Sequence, residues 1–148
     1  MKKYKLHTNY KQILADTITP VSVYLKIRDK FPNSILLESS DYHANDNSFS
    51  YICFNPIASI KVENQKIETN FPDGFSEIIP IDTEVNVAKE IENFSNQFQT
   101  EKSDFKFITQ GLFGYLAYDA IQYFEKVSIE KKSSENEIPE LFYAVYQN

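Results

Sequence analysis

The residues best suited to chemistry are Glu38, Ser39 and Ser40, which directly follow three branched apolar residues. A short apolar run bounded by polar residues predicts a buried strand over residues 35–40. The carboxylate and hydroxyls would then lie where the strand leaves the core. There they could hold the ammonium or amide group of a small ligand through charge-assisted hydrogen bonds. An ordinary strand end, with Glu38 solvated and Ser39 capping a turn, accounts for the same residues, so both interpretations stay open.

Other reactive residue types do not form a recognisable catalytic set. His7 and His43 lie far apart in polar surroundings, and no acid pair shares an apolar face. Cys53 is the only cysteine, which excludes an intrachain disulfide, and its apolar neighbours predict a small buried side chain. Gly111 and Gly114 favour tight sheet packing over a phosphate loop, because no lysine follows them. These features indicate a binding or regulatory domain rather than a complete enzyme.

Composition bounds the class of protein. The 148 residues are 42% hydrophobic and 15% aromatic, which predicts one globular domain with a sizeable core. The net charge of −6 and a single arginine, Arg28, argue against nucleic acid as a partner. No apolar run is long enough to span a membrane and no signal-peptide core follows the first residues, so we expect no membrane partner and a cytoplasmic location.

Two helices are predicted, over residues 20–30 and 83–98. Thr19 is a good N-cap before Pro20, and Tyr24 and Leu25 are expected on the inward face of the first helix. The second helix carries an apolar stripe at helical spacing: Val87, Ile91, Phe94 and Phe98. Asp119 is expected to cap a short third helix.

Strands make up most of the remainder. Residues 57–63 alternate apolar and polar side chains, and Asn64-Gln65 is a plausible hairpin turn into residues 66–69. Further strands are predicted at 49–54, within 111–119 and at 141–146. The fold class is therefore α+β, with antiparallel sheets packed against helices. The chain stops directly after its last strand, and we expect it to be a fragment of a longer protein.

Three segments in this order resemble the N-terminal region of anthranilate synthase component I. The first, residues 14–24, reads Leu-Ala-Asp-Thr-Ile-Thr-Pro-Val-Ser-Val-Tyr. The second, residues 36–39, is Leu-Leu-Glu-Ser, and it is followed by Phe-Ser-Tyr-Ile at 49–52 and Asn-Pro at 55–56. The third, residues 111–125, is similar to the family's Gly-Gly-Leu-x-Gly-Tyr-x-x-Tyr-Asp-x-x-Arg-x-x-Glu stretch. The chain departs from the family at Ser48, where Arg is frequent, at Gln110 for the first Gly, and at Gln122 for Arg.

The resemblance implies a fold and a function. It implies a sandwich-like pair of sheets that forms the N-terminal domain of a chorismate-utilising enzyme, with residues 1–148 as a single regulatory domain. Family members convert chorismate and ammonia to anthranilate and pyruvate, a lyase reaction of tryptophan biosynthesis. Their chorismate and Mg²⁺ sites lie in a C-terminal region that this chain lacks. The fragment alone is therefore expected to be inactive, with no catalytic or metal-binding residue of its own.

The resemblance also implies ligands and partners. Leu37, Glu38 and Ser39 would line part of the feedback site for L-tryptophan, and Pro20 and Ser50 are weaker matches to it. The partner of the parent enzyme would be the glutamine amidotransferase subunit, component II. We expect the isolated fragment to self-associate through exposed sheet edges. Two alternatives are the aminodeoxychorismate synthase component of the folate branch and a stand-alone amino-acid-sensing module.

Overall fold

The structure is a computed structural model that describes residues 2–38, 49–101, 104–105, 107–127, 129 and 138–148. Within these ranges lie two α-helices, α1 (Pro20–Ile27) and α2 (Val87–Ser95), and a 3₁₀ helix at Tyr118–Tyr123. The strands are β1 (Tyr4–Lys5), β2 (Ile35–Glu38), β3 (Ser50–Cys53), β4 (Pro56–Glu63), β5 (Lys66–Asn70), β6 (Ser76–Pro80), β7 (Phe98–Gln99), β8 (Phe113–Leu116) and β9 (Leu141–Tyr146). The predicted loop at 41–48, with His43 and Ser48, lies outside the described residues.

The largest sheet has five strands in the order β6-β5-β4-β9-β8, and every neighbouring pair is antiparallel. Asn64 and Gln65 join β4 to β5 with φ of 51° and 56°. Two successive positive φ angles give a hairpin turn whose twist matches that of the strands. The predicted turn and the α+β class are therefore confirmed. β6 was not predicted, because its sequence Ser-Glu-Ile-Ile-Pro lacks alternation and four of its residues are exposed.

The core lies between one face of this sheet and α2. The alternation predicted for β4 is confirmed, because Ala58, Ile60 and Val62 are buried. From the helix, Val87 and Phe94 are each only 1% exposed. The predicted stripe is therefore the buried face of α2, although its last member belongs to β7.

Both predicted boundaries of α2 were wrong. The carboxylate of Asp82 accepts hydrogen bonds from the backbone N–H groups of Glu84 (2.9 Å) and Val85 (3.1 Å) and so forms a turn. The helix begins only after Asn86, whose side chain accepts from the N–H of Lys89 at 3.0 Å. Asp82, the acidic residue before the apolar stripe, thus forms a turn, and Asn86 is the residue that caps the helix.

Helix α1 begins as predicted. Thr19 and Ser22 exchange side-chain hydrogen bonds with each other's backbone N–H, both at 3.2 Å, in a reciprocal capping box. The helix ends at Ile27, three residues before the predicted end. Tyr24 is half-buried, but Leu25 is 48% exposed, so its inward placement was wrong. Leu25 is exposed because α1 covers a sheet of two strands only, which is too narrow to bury a broad helix face.

The strand predicted at 35–40 exists as β2 but is not buried. Its one partner among the described strands is β3, and its last residues, Leu37 and Glu38, are exposed. A two-stranded sheet leaves an open edge and so cannot enclose an apolar strand on all sides. Near the third motif, Asp119 does not cap the 3₁₀ helix. Its cap position is Ala117, which makes no side-chain hydrogen bond.

Candidate functional site

The predicted site residues meet on the β2–β3 pair. In the antiparallel register Glu38 lies opposite Ser50, and Leu37 lies opposite Tyr51. Residues directly opposite each other have Cβ atoms about 4.5–5.5 Å apart and point to the same face. The carboxylate of Glu38 and the hydroxyl of Ser50 therefore share one exposed end of this sheet. Ser39 lies outside the described residues.

Helix α1 supports the back of this pair. It packs against both β2 and β3, so Pro20, its first residue, belongs to the same three-element unit. The hydroxyl of Tyr24 donates to the carbonyl of Ser34 at 3.2 Å, just before β2 begins. Tyr146 ties the unit to β9, because its hydroxyl donates to the carbonyl of Asn33 at 2.7 Å. Burial raises the pKa of the Tyr146 phenol, which keeps this donor protonated.

A groove of about 430 Å³ opens beside β3. We call it the aromatic groove, and its lining residues are Thr8, Tyr10, Phe49, Ser50, Tyr51, Ile52, Phe105, Phe107, Ile108 and Thr109. Its volume lies within the range of small-molecule sites, about 300–1,000 Å³. Ser50 lines this groove and also lies opposite Glu38, whereas Tyr51 points to the other face of the strand pair.

Aromatic contacts assemble the groove from three distant segments. The rings of Tyr10 and Phe105 meet edge to face at 4.8 Å, and Phe105 stacks on Phe107 at 4.9 Å. Phe107 in turn packs at 5.6 Å on Phe49, the residue before β3. These separations are typical of stabilising ring pairs. The outer wall is therefore a continuous row of rings.

Hydrogen bonds fix the same wall. The backbone N–H of Ile108 donates to the hydroxyl of Tyr51 at 3.1 Å. Gln110, where the family has glycine, donates from its amide to the hydroxyl of Thr8. The segment that carries Phe105 and Phe107 is thereby held to β3 on one side and to the N-terminal strand region on the other.

The described lining of the groove is uncharged. None of its lining residues is Asp, Glu, Lys, Arg or His. Glu38 is not one of the described lining residues, and the strand register sets it opposite Ser50. The described lining can therefore accept an apolar ring, and the exposed Glu38 carboxylate offers a negative charge at the end of the strand pair.

Sequence reasoning missed the groove residues Tyr10, Phe105 and Phe107. The spacing of two between the phenylalanines was a signal, because alternate residues of an extended segment point the same way. Nothing in the sequence indicated that Tyr10 would meet them from almost a hundred residues away.

The structure offers little for covalent or metal chemistry. Cys53 is 6% exposed, and burial raises the pKa of its thiol to about 11, which confirms the predicted unreactive side chain. His7 is exposed and hydrogen-bonds to Glu101 at 2.9 Å. Gln122 donates to the carbonyl of Asp119 at 2.9 Å within its own helix. In the part of the chain that is described, no three His, Cys, Asp or Glu residues cluster as metal ligands, and no helix could cross a membrane.

Comparison with known proteins gives three curated relatives, each named anthranilate synthase component 1. The protein from Lactococcus lactis subsp. lactis (strain IL1403) is 32% identical over 140 residues, 93% of this chain and 28% of that protein. The protein from Aquifex aeolicus (strain VF5) is 25% identical over 126 residues, 85% of this chain. The protein from Pseudomonas putida is 32% identical over 116 residues, 78% of this chain. The chain spans about a quarter of the length of these relatives, and no family model matches it.

Proposed function

We propose that this chain, which is homologous to anthranilate synthase component 1, is the single N-terminal regulatory domain, residues 1–148, of an enzyme that makes anthranilate. Alignment over 93% of the chain with a relative more than three times as long supports this proposal. The absence of a nucleophile or acid–base pair in the described site supports a regulatory role for this part of the protein. The catalytic residues would lie in the remaining length that the relatives possess.

The regulatory ligand in this proposal is L-tryptophan. Glu38 would accept hydrogen bonds from its ammonium group, with Leu37 and Ser39 beside it, and Ser50 would contribute a hydroxyl from the opposite strand. Pro20 would position the start of α1 behind these strands. The single observation that carries the assignment is the β2–β3 register, which sets Glu38 opposite Ser50 at an exposed end of the strand pair. A feedback ligand acts only through different affinities for the active and inactive states.

The reaction proposed for the whole protein converts chorismate and ammonia to anthranilate and pyruvate. Ammonia would come from a glutamine amidotransferase subunit, component II, and the enzyme would work in the cytoplasm. Mg²⁺ would be bound outside this chain, because the described residues offer no cluster of oxygen or nitrogen ligands for it. This chain's own part in the reaction is to bind the inhibitor and to report that binding to the rest of the protein.

The test is a pair of variants at Ser39 and Glu38 in the full-length protein, with one matched control. Ser39→Phe should relieve tryptophan inhibition by at least about tenfold in the inhibitory concentration, because a ring would fill the site that the ligand needs. Glu38→Gln should relieve it as well, since it removes the charge that pairs with the ammonium group. The matched control is Ser76→Phe, which places the same ring at an exposed residue of edge strand β6. Unchanged inhibition in Ser39→Phe would refute the assignment.

We also propose that the isolated chain self-associates. A second cleft of about 300 Å³ has a mainly apolar described lining of Ile91, Leu112, Leu116, Phe124 and Tyr143. Leu116 is 47% and Phe124 41% exposed beside strand β8, whose one described partner is β9. Exposed apolar surface next to a strand edge favours pairing between copies. Small-angle scattering should give a mass above that of the 17.2 kDa monomer, and a monodisperse monomer would contradict the proposal.

A further inference from the structure

We propose that Asp73-Gly74 is a site of spontaneous isomerisation to isoaspartate and that the ammonium group of Lys2 protects it. This dipeptide is the one Asp-Gly pair in the sequence. An aspartate before glycine is especially prone to this reaction, because glycine has no side chain to hinder attack by its backbone nitrogen. The site lies outside the β2–β3 pair and does not depend on any bound ligand.

The reaction needs only atoms of the chain and water. The backbone nitrogen of Gly74 forms a bond to the side-chain carboxyl carbon of Asp73, and the carboxyl OH leaves as water with the amide proton. Water then adds to the main-chain carbonyl of the resulting five-membered succinimide. Opening of the ring at that carbonyl leaves the chain running through the former side chain of Asp73, which is isoaspartate. One water molecule is lost and one is gained, so the mass is unchanged and nothing is oxidised.

The turn that joins β5 to β6 gives this reaction both solvent and space. The N–H of Phe71 donates to the carbonyl of Phe75 at 2.9 Å, and the N–H of Gly74 donates to the carbonyl of Phe71 at 3.0 Å. Residues 72–74 therefore form a three-residue hairpin loop, and all three are exposed. A Cβ atom built on Gly74 would meet no atom within 4 Å. Neighbouring side chains thus leave room for the ring to close.

Lys2 opposes the reaction through the carboxylate. Its ammonium group lies 2.5 Å from Oδ2 of Asp73, and the N–H of Phe75 donates to Oδ1 at 3.2 Å. Both contacts favour the ionised carboxylate, and the Lys2 hydrogen bond is the main cause that lowers the pKa of Asp73 to about 2. Only the protonated carboxyl group can lose its OH as water. The ion pair therefore keeps nearly all of this group in its unreactive form.

The same ion pair joins the N-terminal strand to the turn. Lys2 lies two residues before Tyr4 of β1, whose ring stacks on that of Phe71 at 5.7 Å. Isomerisation adds one backbone atom to the three-residue loop and moves the free carboxylate to a new position. The reaction would therefore remove the contact between Lys2 and Asp73 that restrains it, and the change could not reverse without re-forming the succinimide.

The test compares Lys2→Met with Lys3→Met in the full-length protein. Lys2→Met removes the charge and keeps a side chain of similar length. The pKa of Asp73 should then rise toward its ordinary value of about 3.9, so that isoaspartate at this residue accumulates about tenfold faster near pH 6. Lys3→Met is the matched control, because the Lys3 ammonium donates to the carbonyl of Asn96 at 2.6 Å. Its rate should stay within about twofold of that of the unsubstituted protein.

Proteolytic digestion and electron-transfer fragmentation measure the product. Cleavage of the extra Cα–Cβ bond in the isoaspartyl backbone gives a diagnostic pair of fragments, which locates the modified residue. In guanidinium chloride the unsubstituted protein and both variants should react at one rate, because unfolding separates Lys2 from Asp73. Circular dichroism should show that each variant is folded before incubation.

Three results would overturn the proposal. Isoaspartate formation at Asp73 that is no faster in native Lys2→Met than in native Lys3→Met would show that Lys2 gives no protection. A rate difference that persists in guanidinium chloride would show that the native ion pair is not its cause. If no isoaspartate forms at Asp73 in either the native or the unfolded chains, this dipeptide is not an isomerisation site.

Discussion

Replacing Gly114 by alanine should detach strand β8 from the main sheet. A Cβ atom at Gly114 would lie 1.9 Å from the carbonyl oxygen of Phe142 and 2.8 Å from the Cα of Tyr143. Both atoms belong to the backbone of β9, and β9 is also paired with β4 on its other side. β9 cannot move away without breaking its hydrogen bonds to β4. The added methyl group must therefore push β8 outward.

The cost follows from that ladder. Overpacking typically destabilises a protein by about 1–3 kcal/mol, and here the obstacle is backbone, so the upper end applies. Detaching β8 abandons four paired residues, at about 1 kcal/mol per net hydrogen bond. We therefore expect Gly114→Ala to lower the free energy of unfolding by about 3–4 kcal/mol.

The assay is urea unfolding followed by circular dichroism. With a slope of about 2 kcal/mol/M, the midpoint should fall by about 1.5–2 M. Gly74→Ala is the control, because Gly74 has φ of +82° and no atom within 4 Å of the added Cβ, so only backbone strain of about 1–2 kcal/mol is expected. If Gly114→Ala destabilises no more than Gly74→Ala, the close strand approach is not the reason for glycine at 114.

Three further predictions concern the core, an ion pair and the thiol. Phe94→Ala should lower the free energy of unfolding by about 3–5 kcal/mol by leaving a cavity, whereas Leu25→Ala, at a 48% exposed residue, should change it by less than about 0.5 kcal/mol in urea titrations. The Lys2 ammonium lies 2.5 Å from the carboxylate of Asp73 and lowers its pKa to about 2. The ionised carboxylate therefore stabilises the fold above its unfolded pKa of about 3.9, and this contribution is lost as the pH falls toward 2. Asp73→Asn should therefore flatten the pH dependence of the urea-unfolding midpoint between about pH 4 and 2. An unchanged pH dependence in this variant would count against the ion pair. Cys53, with its thiol pKa raised to about 11, should react with a thiol reagent at neutral pH only as fast as the chain opens, while the urea-unfolded chain should react at once; rapid labelling of the native chain would contradict its burial.

Local patterns in the sequence predicted the main sheet well. The alternation of Ala58, Ile60 and Val62, the hairpin at Asn64-Gln65 and the apolar final strand are all present, because each reflects a period or a turn that nearby residues determine alone. The three-motif resemblance to anthranilate synthase component I is confirmed by the curated relatives.

The errors arose where tertiary context decides. The apolar run of β2 predicted a buried strand, and Leu25 was expected on an inward helix face. Both belong to the narrow β2–β3 unit, whereas burial would have required a larger sheet. At α2, Asp82 forms a turn and Asn86 caps the helix, a distinction made by side-chain hydrogen bonds that the sequence pattern does not determine. For the site, the sequence indicated Glu38 and Ser50. The ring wall could not be predicted, because Tyr10 and Phe105 meet across a sequence separation that no local pattern records.

The most direct test of the central claim is the product formed from chorismate by the full-length protein that contains this chain, supplied with ammonia and Mg²⁺, with and without L-tryptophan. The proposed function predicts fluorescent anthranilate, suppressed by tryptophan and restored in Ser39→Phe. Aminodeoxychorismate in place of anthranilate would move the protein to the folate branch, and no turnover of chorismate at all would contradict the account and favour a sensing module.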